Sequence, residues 1–172
     1  SALDSLRAIG TALAEDISEH PYAEVLEEGP PAQPVLPVIG NTLVDSFDEP
    51  VIKAVTAAYA NGGRVVFMRY LGGAFGRVDP SATAFAHRGA EVMVVSAAFM
   101  PEDATEDHRA EARKVWATIG HQGIGAYAGF LGSETSEDIA ALWPPDTFDR
   151  LREVKRTWDP DNLFRRNFNI AP

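Results

Sequence analysis

Two short stretches constrain the fold most, because both are typical of β-strands. Residues 64–71 (RVVFMRYL) alternate in side-chain character and end at a Gly-Gly pair, and residues 91–100 (EVMVVSAAFM) form a second strand-like run. A third stretch, residues 35–47, has strand character that is interrupted at Gly40. We therefore expect these segments to form a β-sheet.

Helical periodicity is found before, between and after these strands. Residues 3–17 and 145–158 place apolar side chains at spacings of three and four. Another helix is predicted to open at Asp48 or Glu49, with Pro50 in its first turn, and to stop at Asn61-Gly62-Gly63. Further helices are predicted over residues 101–119, whose first turns are acidic, and over residues 136–142.

The order of these elements predicts an α+β domain. Strands and helices do not alternate regularly, and no glycine-rich phosphate turn joins a strand to a helix. The expected architecture is a mostly antiparallel β-sheet with helices packed on one face. Residues 28–37, with Gly29 and four prolines, are expected to be a loop or an extended connection.

Charge and composition exclude several classes of partner. The formal net charge is −10 and no run of Lys or Arg offsets it, so nucleic acid and anionic membrane surfaces are not expected partners. The chain contains no cysteine, which excludes disulfides and thiolate chemistry. Residues 92–100 are the longest apolar stretch and are too short to span a bilayer. We expect a soluble, cytoplasmic protein, although the sequence does not determine the compartment.

No catalytic constellation is evident from residue types and spacing alone. The four histidines lack metal-ligand spacing, so no metal site is expected. The pair His87-Arg88 precedes a strand, where a polar hairpin pair and a substrate contact are both possible. Residues 120–132 hold five glycines around Tyr127 and Phe130, which indicates close backbone approach to a flat partner.

The chain ends in an unusually apolar segment, RTWDPDNLFRRNFNIAP. Asp159 and Pro160 are predicted to be the N-cap and first residue of a helical turn that runs through Phe164. So apolar a tail is expected either to pack into its own domain or to dock onto a partner that is not part of this sequence. The apolar side chains in question are Trp158, Leu163, Phe164, Phe168 and Ile170.

Two long stretches resemble the C-terminal part of the FAD-linked oxidases of the berberine-bridge-enzyme-like group. They are residues 70–99 (YLGGAFGRVDPSATAFAHRGAEVMVVSAAF) and residues 147–172, whose DPDNLFR and Asn-Ile motifs are specific. Residues 126–131 (AYAGFL) resemble the family segment that lies between them, and HPYAEVLEEG near the start is weakly similar. The resemblance spans nearly the whole chain.

This resemblance implies a division of labour between domains. Residues 1–158 would form the substrate-side α+β domain, and residues 159–172 would return to an FAD-binding domain that is absent from this sequence. The family passes a hydride from an alcohol, C–N or C–H centre to the flavin, and oxygen commonly takes the electrons afterwards. The partners expected are the FAD-binding domain, in the same or a separate chain, and a small-molecule substrate.

The resemblance also implies candidate site residues. The position that often holds Asn is Gly129, and the next aromatic, a Tyr in many members, is Phe130, which cannot ionise. Tyr127 keeps its hydroxyl and is the candidate catalytic base. The full set is Tyr127 as catalytic residue, Asn162, Asn169 and Gly129 toward FAD, and Arg69, His87 and Phe130 toward substrate.

An alternative remains open at this point. The chain could be a stand-alone, non-catalytic module for small-molecule binding or dimerisation that lost the FAD domain, and the residues at positions 129 and 130 favour this alternative. On the first hypothesis, we expect the isolated chain to be colourless and inactive, since FAD would be held largely by the other domain. An apolar face left without its partner would also favour self-association into a homo-oligomer.

Overall fold

The computed structural model describes residues 3–11, 14–15, 17–25, 35–60, 64–132 and 135–172. The chain forms two compact units, Ser1–Ala32 and Gln33–Pro172. The division expected from the sequence, between residues 158 and 159, stays a prediction about the assembled protein.

The first unit contains two single-turn helices, α1 (Asp4–Arg7) and α2 (Tyr22–Val25). The helix predicted over residues 3–17 is wrong beyond its first turn, because residues 8–11, 14–15 and 17 are not helical. Ile9 and Ile17 are exposed, so the periodic apolar residues find no surface to pack on. A helix of that length is marginal in water without packing, and Gly10 weakens it further.

The second unit is built on a three-stranded antiparallel sheet. Its strands are β1 (Val35–Val44), β2 (Arg64–Tyr70) and β3 (Val92–Pro101), in the order β1-β3-β2. In the register, Val95 at the centre of β3 lies opposite Asn41 of β1 and Phe67 of β2. The predicted α+β class with an antiparallel sheet is confirmed.

Two helices, α3 (Glu49–Ala60) and α4 (Glu106–Gly120), pack on one face of this sheet. Their inward residues are apolar and meet the side chains of β1 and β3 that point the same way. This burial removes apolar surface from water at about 25 cal/mol per Å² and holds the layers together. The buried cluster consists of Val44, Val51, Ala58, Val92, Val94 and Ile119.

Strand β1 runs through Gly40 without the predicted interruption. A Cβ at Gly40 would lie 2.3 Å from the indole of Trp116, so the glycine permits close packing of α4 against the strand. Strand β1 ends at Val44 rather than at Phe47. Residues 35–37 of the predicted loop belong to β1, and residues 28–34 lie outside the described residues.

The predicted C-terminal helices are confirmed at their bounds, as α5 (Ser136–Leu142) and α6 (Pro145–Trp158). Helix α4 begins at Glu106 rather than at residue 101. The reason is that β3 extends to Pro101, and Thr105 then caps the helix by accepting a hydrogen bond from the His108 amide at 3.3 Å. The predicted stop of α3 at residues 61–63 lies outside the described residues.

The predicted helical turn from Asp159 to Phe164 is wrong. The chain leaves α6 in a non-helical turn, and Asn162 adopts a left-handed conformation with φ of 51°. A helix cannot continue through that conformation. Asp159 does act as a cap, but it stabilises this turn instead of a helix.

The second face of the sheet carries another buried cluster, formed by Leu43, Ala90, Met93 and Val95. Partly buried aromatic side chains from β2 and from two loops pack over it. Three of them are Phe67, Phe85 and Phe130. This face, opposite α3 and α4, carries most of the residues that the sequence singled out.

Candidate functional site

Five aromatic side chains form a continuous cluster on the second face of the sheet, here called the aromatic cluster. Three edge-to-face contacts and one tilted contact, between Tyr127 and Phe130, join successive rings at centroid distances of 5.3–6.3 Å. Edge-to-face geometry is favoured by the ring quadrupoles. Four rings are half-buried, and Tyr127 is 43% exposed, so the cluster is a surface rather than a core. Its members are Phe67, Phe75, Phe85, Tyr127 and Phe130.

Two arginines stack on this cluster. The Cζ atom of Arg69 lies 5.2 Å from the ring centroid of Phe130 and 5.5 Å from that of Phe67. Arg88 stacks in the same way on two other rings, Phe75 and Phe85. A guanidinium over a ring face is attracted by the ring quadrupole, so each arginine is held in place without an acidic partner.

The glycine-rich loop 120–132 is docked against the edge of β1. The Leu43 amide donates to the Gly125 carbonyl at 2.8 Å, and the Ile124 amide donates to the Leu43 carbonyl at 2.7 Å. A Cβ at Gly123 would meet the Thr42 hydroxyl at 1.7 Å. The predicted close backbone approach is therefore present, but this part of the loop approaches its own strand.

Asn41 fixes the segment that carries the candidate catalytic residue. Its side chain is 2% exposed. Its amide nitrogen donates to the Tyr127 carbonyl at 2.7 Å, and its amide oxygen accepts from the Tyr127 N–H, also at 2.7 Å. Both backbone groups of Tyr127 are thus satisfied by one buried carboxamide.

The sequence analysis missed Asn41, although a signal was present. Asn is depleted in strands, so an Asn-Thr pair inside an otherwise apolar strand indicates a specific partner. Thr42 belongs to the same anchor, because its hydroxyl donates to the Gly125 carbonyl at 3.3 Å.

Tyr127, Gly129 and Phe130 lie together, as their spacing in the sequence requires. A Cβ on Gly129 would fall 2.6 Å from the Tyr127 ring, so the glycine gives that ring its position. The rings of Tyr127 and Phe130 are 6.1 Å apart. Within the described part of the chain, no residue hydrogen-bonds to the Tyr127 hydroxyl.

His87 lies beneath the cluster and is only 8% exposed. Its Nε2 donates to the carbonyls of Ala141, at 2.9 Å, and Leu142, at 3.2 Å, at the end of α5. A Cβ on Gly125 would lie 2.2 Å from the imidazole. His87 therefore ties α5 to the glycine-rich loop, and its contact with substrate stays a prediction.

Asn162 and Asn169 lie in the C-terminal tail, and no hydrogen bond or ring contact of the described residues connects them to the aromatic cluster. Asn169 borders a groove of about 330 Å³ between α6 and the tail. The side-chain oxygens of both asparagines are shielded from solvent and accept no hydrogen bond from a described residue. A buried carbonyl oxygen in that state has an unused capacity to accept one.

A clasp around Asp159 sets the course of the tail. The carboxylate accepts hydrogen bonds from Lys155 Nζ, at 2.5 Å, and from the amides of Leu163 and Phe164, at 2.7 and 3.1 Å. The hydrogen bond from Lys155, reinforced by those two amides, holds the pKa of the Asp159 carboxyl below its usual range against the opposing effect of desolvation.

The clasp presents apolar side chains to solvent. Trp158, Leu163 and Phe164 are 82%, 76% and 83% exposed. Together with Val154, which the sequence predicted to lie on a packed stripe of α6, they form an exposed surface, here called the tail patch. The predicted apolar stripe thus exists, but its C-terminal half borders the groove between α6 and the tail and stays largely exposed.

A larger cavity, of about 560 Å³, lies between β1, α4 and the glycine-rich loop. Trp116, Arg109 and Arg113 line it from α4. None of the five rings of the aromatic cluster borders it, so it is separate from the candidate site.

Two further classes of site were searched for among the described residues. They contain no group of three or more His, Asp or Glu side chains placed to hold a metal ion. No helix in the described ranges is long and apolar enough to cross a bilayer.

Sequence comparison gives a match at the C-terminus. Residues 136–171 match the family model described as "Berberine and berberine like". The (R)-6-hydroxynicotine oxidase of Paenarthrobacter nicotinovorans is 47% identical over 38 residues, which are 22% of this chain and 8% of that protein.

Solved structures match over more of the chain. Xylooligosaccharide oxidase from Myceliophthora thermophila C1 superimposes with a TM-score of 0.74 at 18% identity, covering 99% of this chain and 42% of that one. The 6-hydroxy-D-nicotine oxidase of Arthrobacter nicotinovorans superimposes with a TM-score of 0.68 at 24% identity, and the match covers 97% of this chain and 40% of that one. The chain thus spans less than half the length of these oxidases. The C-terminal sequence match and the shared fold together confirm the resemblance predicted from the sequence.

Proposed function

Because this chain has the fold of the berberine-bridge-enzyme-like FAD-linked oxidases and their C-terminal sequence segment, we propose that it forms the substrate side of an FAD-dependent oxidoreductase. In this proposal the second face of the sheet is a wall of the active site, and the tail patch docks on the FAD-binding domain. The reaction class is hydride transfer from an alcohol, C–N or C–H centre to the flavin.

One observation carries the proposal. Four of the residues predicted from the sequence (Arg69, Gly129, Phe130 and Tyr127) meet at the aromatic cluster, although Arg69 is far from the others in the chain. A half-buried aromatic surface with a stacked cation and a free hydroxyl is suited to hold a small organic molecule.

The tail fits the proposed cofactor. The side-chain oxygens of Asn162 and Asn169 accept no hydrogen bond from a described residue, so each could accept one from an N–H group of the flavin once the side chain turns outward. When bound, FAD would supply the hydride acceptor. These asparagines would bind its ring system, while the tail patch would be covered by the domain that holds the rest of the cofactor.

The chain's own residues would bind the substrate, exclude water and accept the proton. Phe130 and Phe67 would hold the substrate flat against the sheet and exclude water, which strengthens polar contacts in the site. The phenolate of Tyr127 would receive the proton of the substrate hydroxyl or amine as the hydride leaves, so Tyr127 is the candidate base. Asn41 and Gly129 would keep that hydroxyl in position.

A second candidate function is a non-catalytic binding or dimerisation module. It is favoured by Gly129 and Phe130, which stand where many family members have Asn and an ionisable Tyr. In that case the aromatic cluster would bind a small molecule, and the tail patch would be buried against a second copy of the chain.

Reconstitution separates the two candidates. The chain is produced alone and together with the FAD-binding domain of its own protein, and each sample is assayed for bound flavin and for hydrogen peroxide formed from a panel of alcohols, oligosaccharides and cyclic amines. We expect a colourless, inactive chain alone and a yellow, active assembly. A lone chain that purifies with stoichiometric flavin, or an assembly that binds flavin but oxidises nothing in the panel, would contradict the proposal.

A further inference from the structure

Arg69 is distinguished by its aromatic surroundings, because its guanidinium lies over two rings of the aromatic cluster. The formal net charge is −10, with 25 acidic against 15 basic residues. Some described cations pair with acids, as in Lys53–Glu49 and Lys155–Asp159, whereas others do not. Within the described part of the chain, no carboxylate pairs with Arg69.

The two arginines on the aromatic cluster, Arg69 and Arg88, differ in whether their guanidinium N–H groups donate hydrogen bonds to the protein. Arg88 donates to the Phe85 carbonyl at 3.2 Å and to the Thr83 hydroxyl at 2.9 Å. Arg69 makes no described hydrogen bond, and its side chain is exposed. Its guanidinium is oriented by two rings, yet its N–H groups remain available.

From this arrangement we propose that Arg69 binds a carboxylate of the substrate, whose ring packs on Phe130 and Tyr127. The inference rests on the proposed function and makes it more specific, because it names the substrate class as a ring-bearing organic acid. A guanidinium recognises a carboxylate through two parallel N–H···O bonds. Because Arg69 already lies over two rings, less ordering of its side chain is needed to form them.

The position of Arg69 in the sheet supports this substrate class. Arg69 lies opposite Met93 in the register, so its neighbour across the strand is apolar. The guanidinium of Arg69 lies over the rings of Phe67 and Phe130. An acid without an apolar portion would leave these rings exposed to water, whereas a ring-bearing acid covers them while its carboxylate pairs with the cation.

The reaction balances with the flavin and oxygen of the proposed function as its oxidants. When bound, FAD would supply the acceptor for the hydride lost from the carbon–hydrogen bond of the substrate alcohol, and the hydroxyl proton would pass to the Tyr127 phenolate or to water. The alcohol would become a carbonyl compound, and oxygen would take the two electrons and two protons to form hydrogen peroxide. The carboxylate bound by Arg69 does not react and serves only to place the oxidised carbon.

Binding of a matched pair of probes tests the inference in the assembled protein. The probes are 4-(hydroxymethyl)benzoate and its neutral amide, 4-(hydroxymethyl)benzamide, which share the ring and the alcohol. We expect calorimetry to show the acid bound about 10- to 100-fold more tightly than the amide, as for one charge-assisted pair. In Arg69→Gln the acid is expected to fall to the affinity of the amide. Lys53→Gln, which removes an exposed cation from α3 on the other face of the sheet, should keep the preference.

The outcomes distinguish this inference from the proposed function. Equal binding of acid and amide, absence of binding by either probe, or an acid preference that survives in Arg69→Gln would overturn the inference. If the assembly nevertheless holds flavin and oxidises neutral alcohols from the panel, the proposed function stands alone. An assembly that binds the acid but never reduces its flavin would contradict the proposed function and leave a binding site at Arg69.

Discussion

Asn41 and Tyr127 lie 86 positions apart and are joined by two hydrogen bonds of 2.7 Å, which pair the buried carboxamide with both backbone groups of the tyrosine. This relationship connects the sheet to the loop that carries the candidate catalytic residue. It determines where the Tyr127 and Phe130 rings stand over the second face of the sheet.

Replacing Asn41 by Ala should loosen that loop. The substitution leaves the Tyr127 N–H without a partner and the Tyr127 carbonyl with only the Phe130 amide at 3.3 Å. We therefore expect the free energy of unfolding to fall by about 1–3 kcal/mol in urea denaturation. The matched control is Gln122→Ala, which removes an exposed amide side chain from the same loop. It should change the free energy of unfolding by less than about 0.5 kcal/mol. Equal midpoints for the two variants would argue against the anchor.

Gly125 should not tolerate a methyl group. An added Cβ would lie 2.2 Å from the His87 ring, and that imidazole is held by two carbonyls at the end of α5. We expect Gly125→Ala to destabilise the fold by about 1–3 kcal/mol, as overpacking does. Gly89→Ala meets no atom within 4 Å and serves as control in the same thermal melts. A Gly125→Ala variant as stable as Gly89→Ala would show that His87 is free to move.

The clasp at Asp159 predicts a loss of stability in acid. The hydrogen bond from Lys155 is the main cause of the lowered folded-state pKa of the Asp159 carboxyl. The ionised carboxyl therefore adds to the free energy of unfolding above the ordinary Asp pKa of about 3.9. This added stability is lost as the pH falls through the lower folded-state pKa. Thermal melts from neutral to acidic pH should therefore show a smaller loss of stability in Asp159→Asn than in the wild type, and lower stability of the variant at neutral pH. Asp161→Asn, at the exposed neighbour, should follow the wild-type curve. Parallel curves for Asp159→Asn and the wild type would contradict the clasp.

The tail patch predicts self-association of the isolated chain. Exposed apolar side chains that belong to an interface tend to be covered by a second copy when the partner is missing. Sedimentation velocity should show concentration-dependent association of the wild type and a shift to monomer in the double variant Leu163→Ser/Phe164→Ser. Tyr59→Ser removes an exposed aromatic from α3 and is the control. A wild type that stays monomeric at high concentration would mean that the patch is not a docking surface.

Local patterns in the sequence predicted most elements of the fold. The bounds of α5 and α6 and the positions of β2 and β3 follow from periodicity and caps that lie within each segment. The helix expected over residues 3–17 failed because its apolar residues have no packing partner, which periodicity cannot show. The turn at Asp159 failed because the left-handed conformation of Asn162 is selected by the Asp159 hydrogen bonds to the amides that follow.

The candidate site was predicted only in part, for a different physical reason. Arg69, Phe130 and Tyr127 were named from a family resemblance, and the fold brings them together. Asn41 was not predicted, because its role depends on the hydrogen bonds to Tyr127, which lies 86 positions away in the chain. Local spacing in the sequence does not encode such a contact. The role of Gly40 likewise depends on an indole that reaches it from α4. Long-range anchors of this kind need the structure.

The most direct test of the central claim is the anaerobic rate of flavin reduction by substrate in the assembled protein, compared between the wild type and Tyr127→Phe. The Tyr127 hydroxyl has no hydrogen-bond partner in the described chain, so its removal should leave the free energy of unfolding within about 0.5 kcal/mol of the wild-type value. As the proposed base, however, its loss should slow reduction by about 100-fold or more. Tyr59→Phe, on α3, should reduce the flavin at the wild-type rate. Equal rates for wild type and Tyr127→Phe, with flavin bound and the fold intact, would contradict the assignment of Tyr127 as the base at the substrate wall.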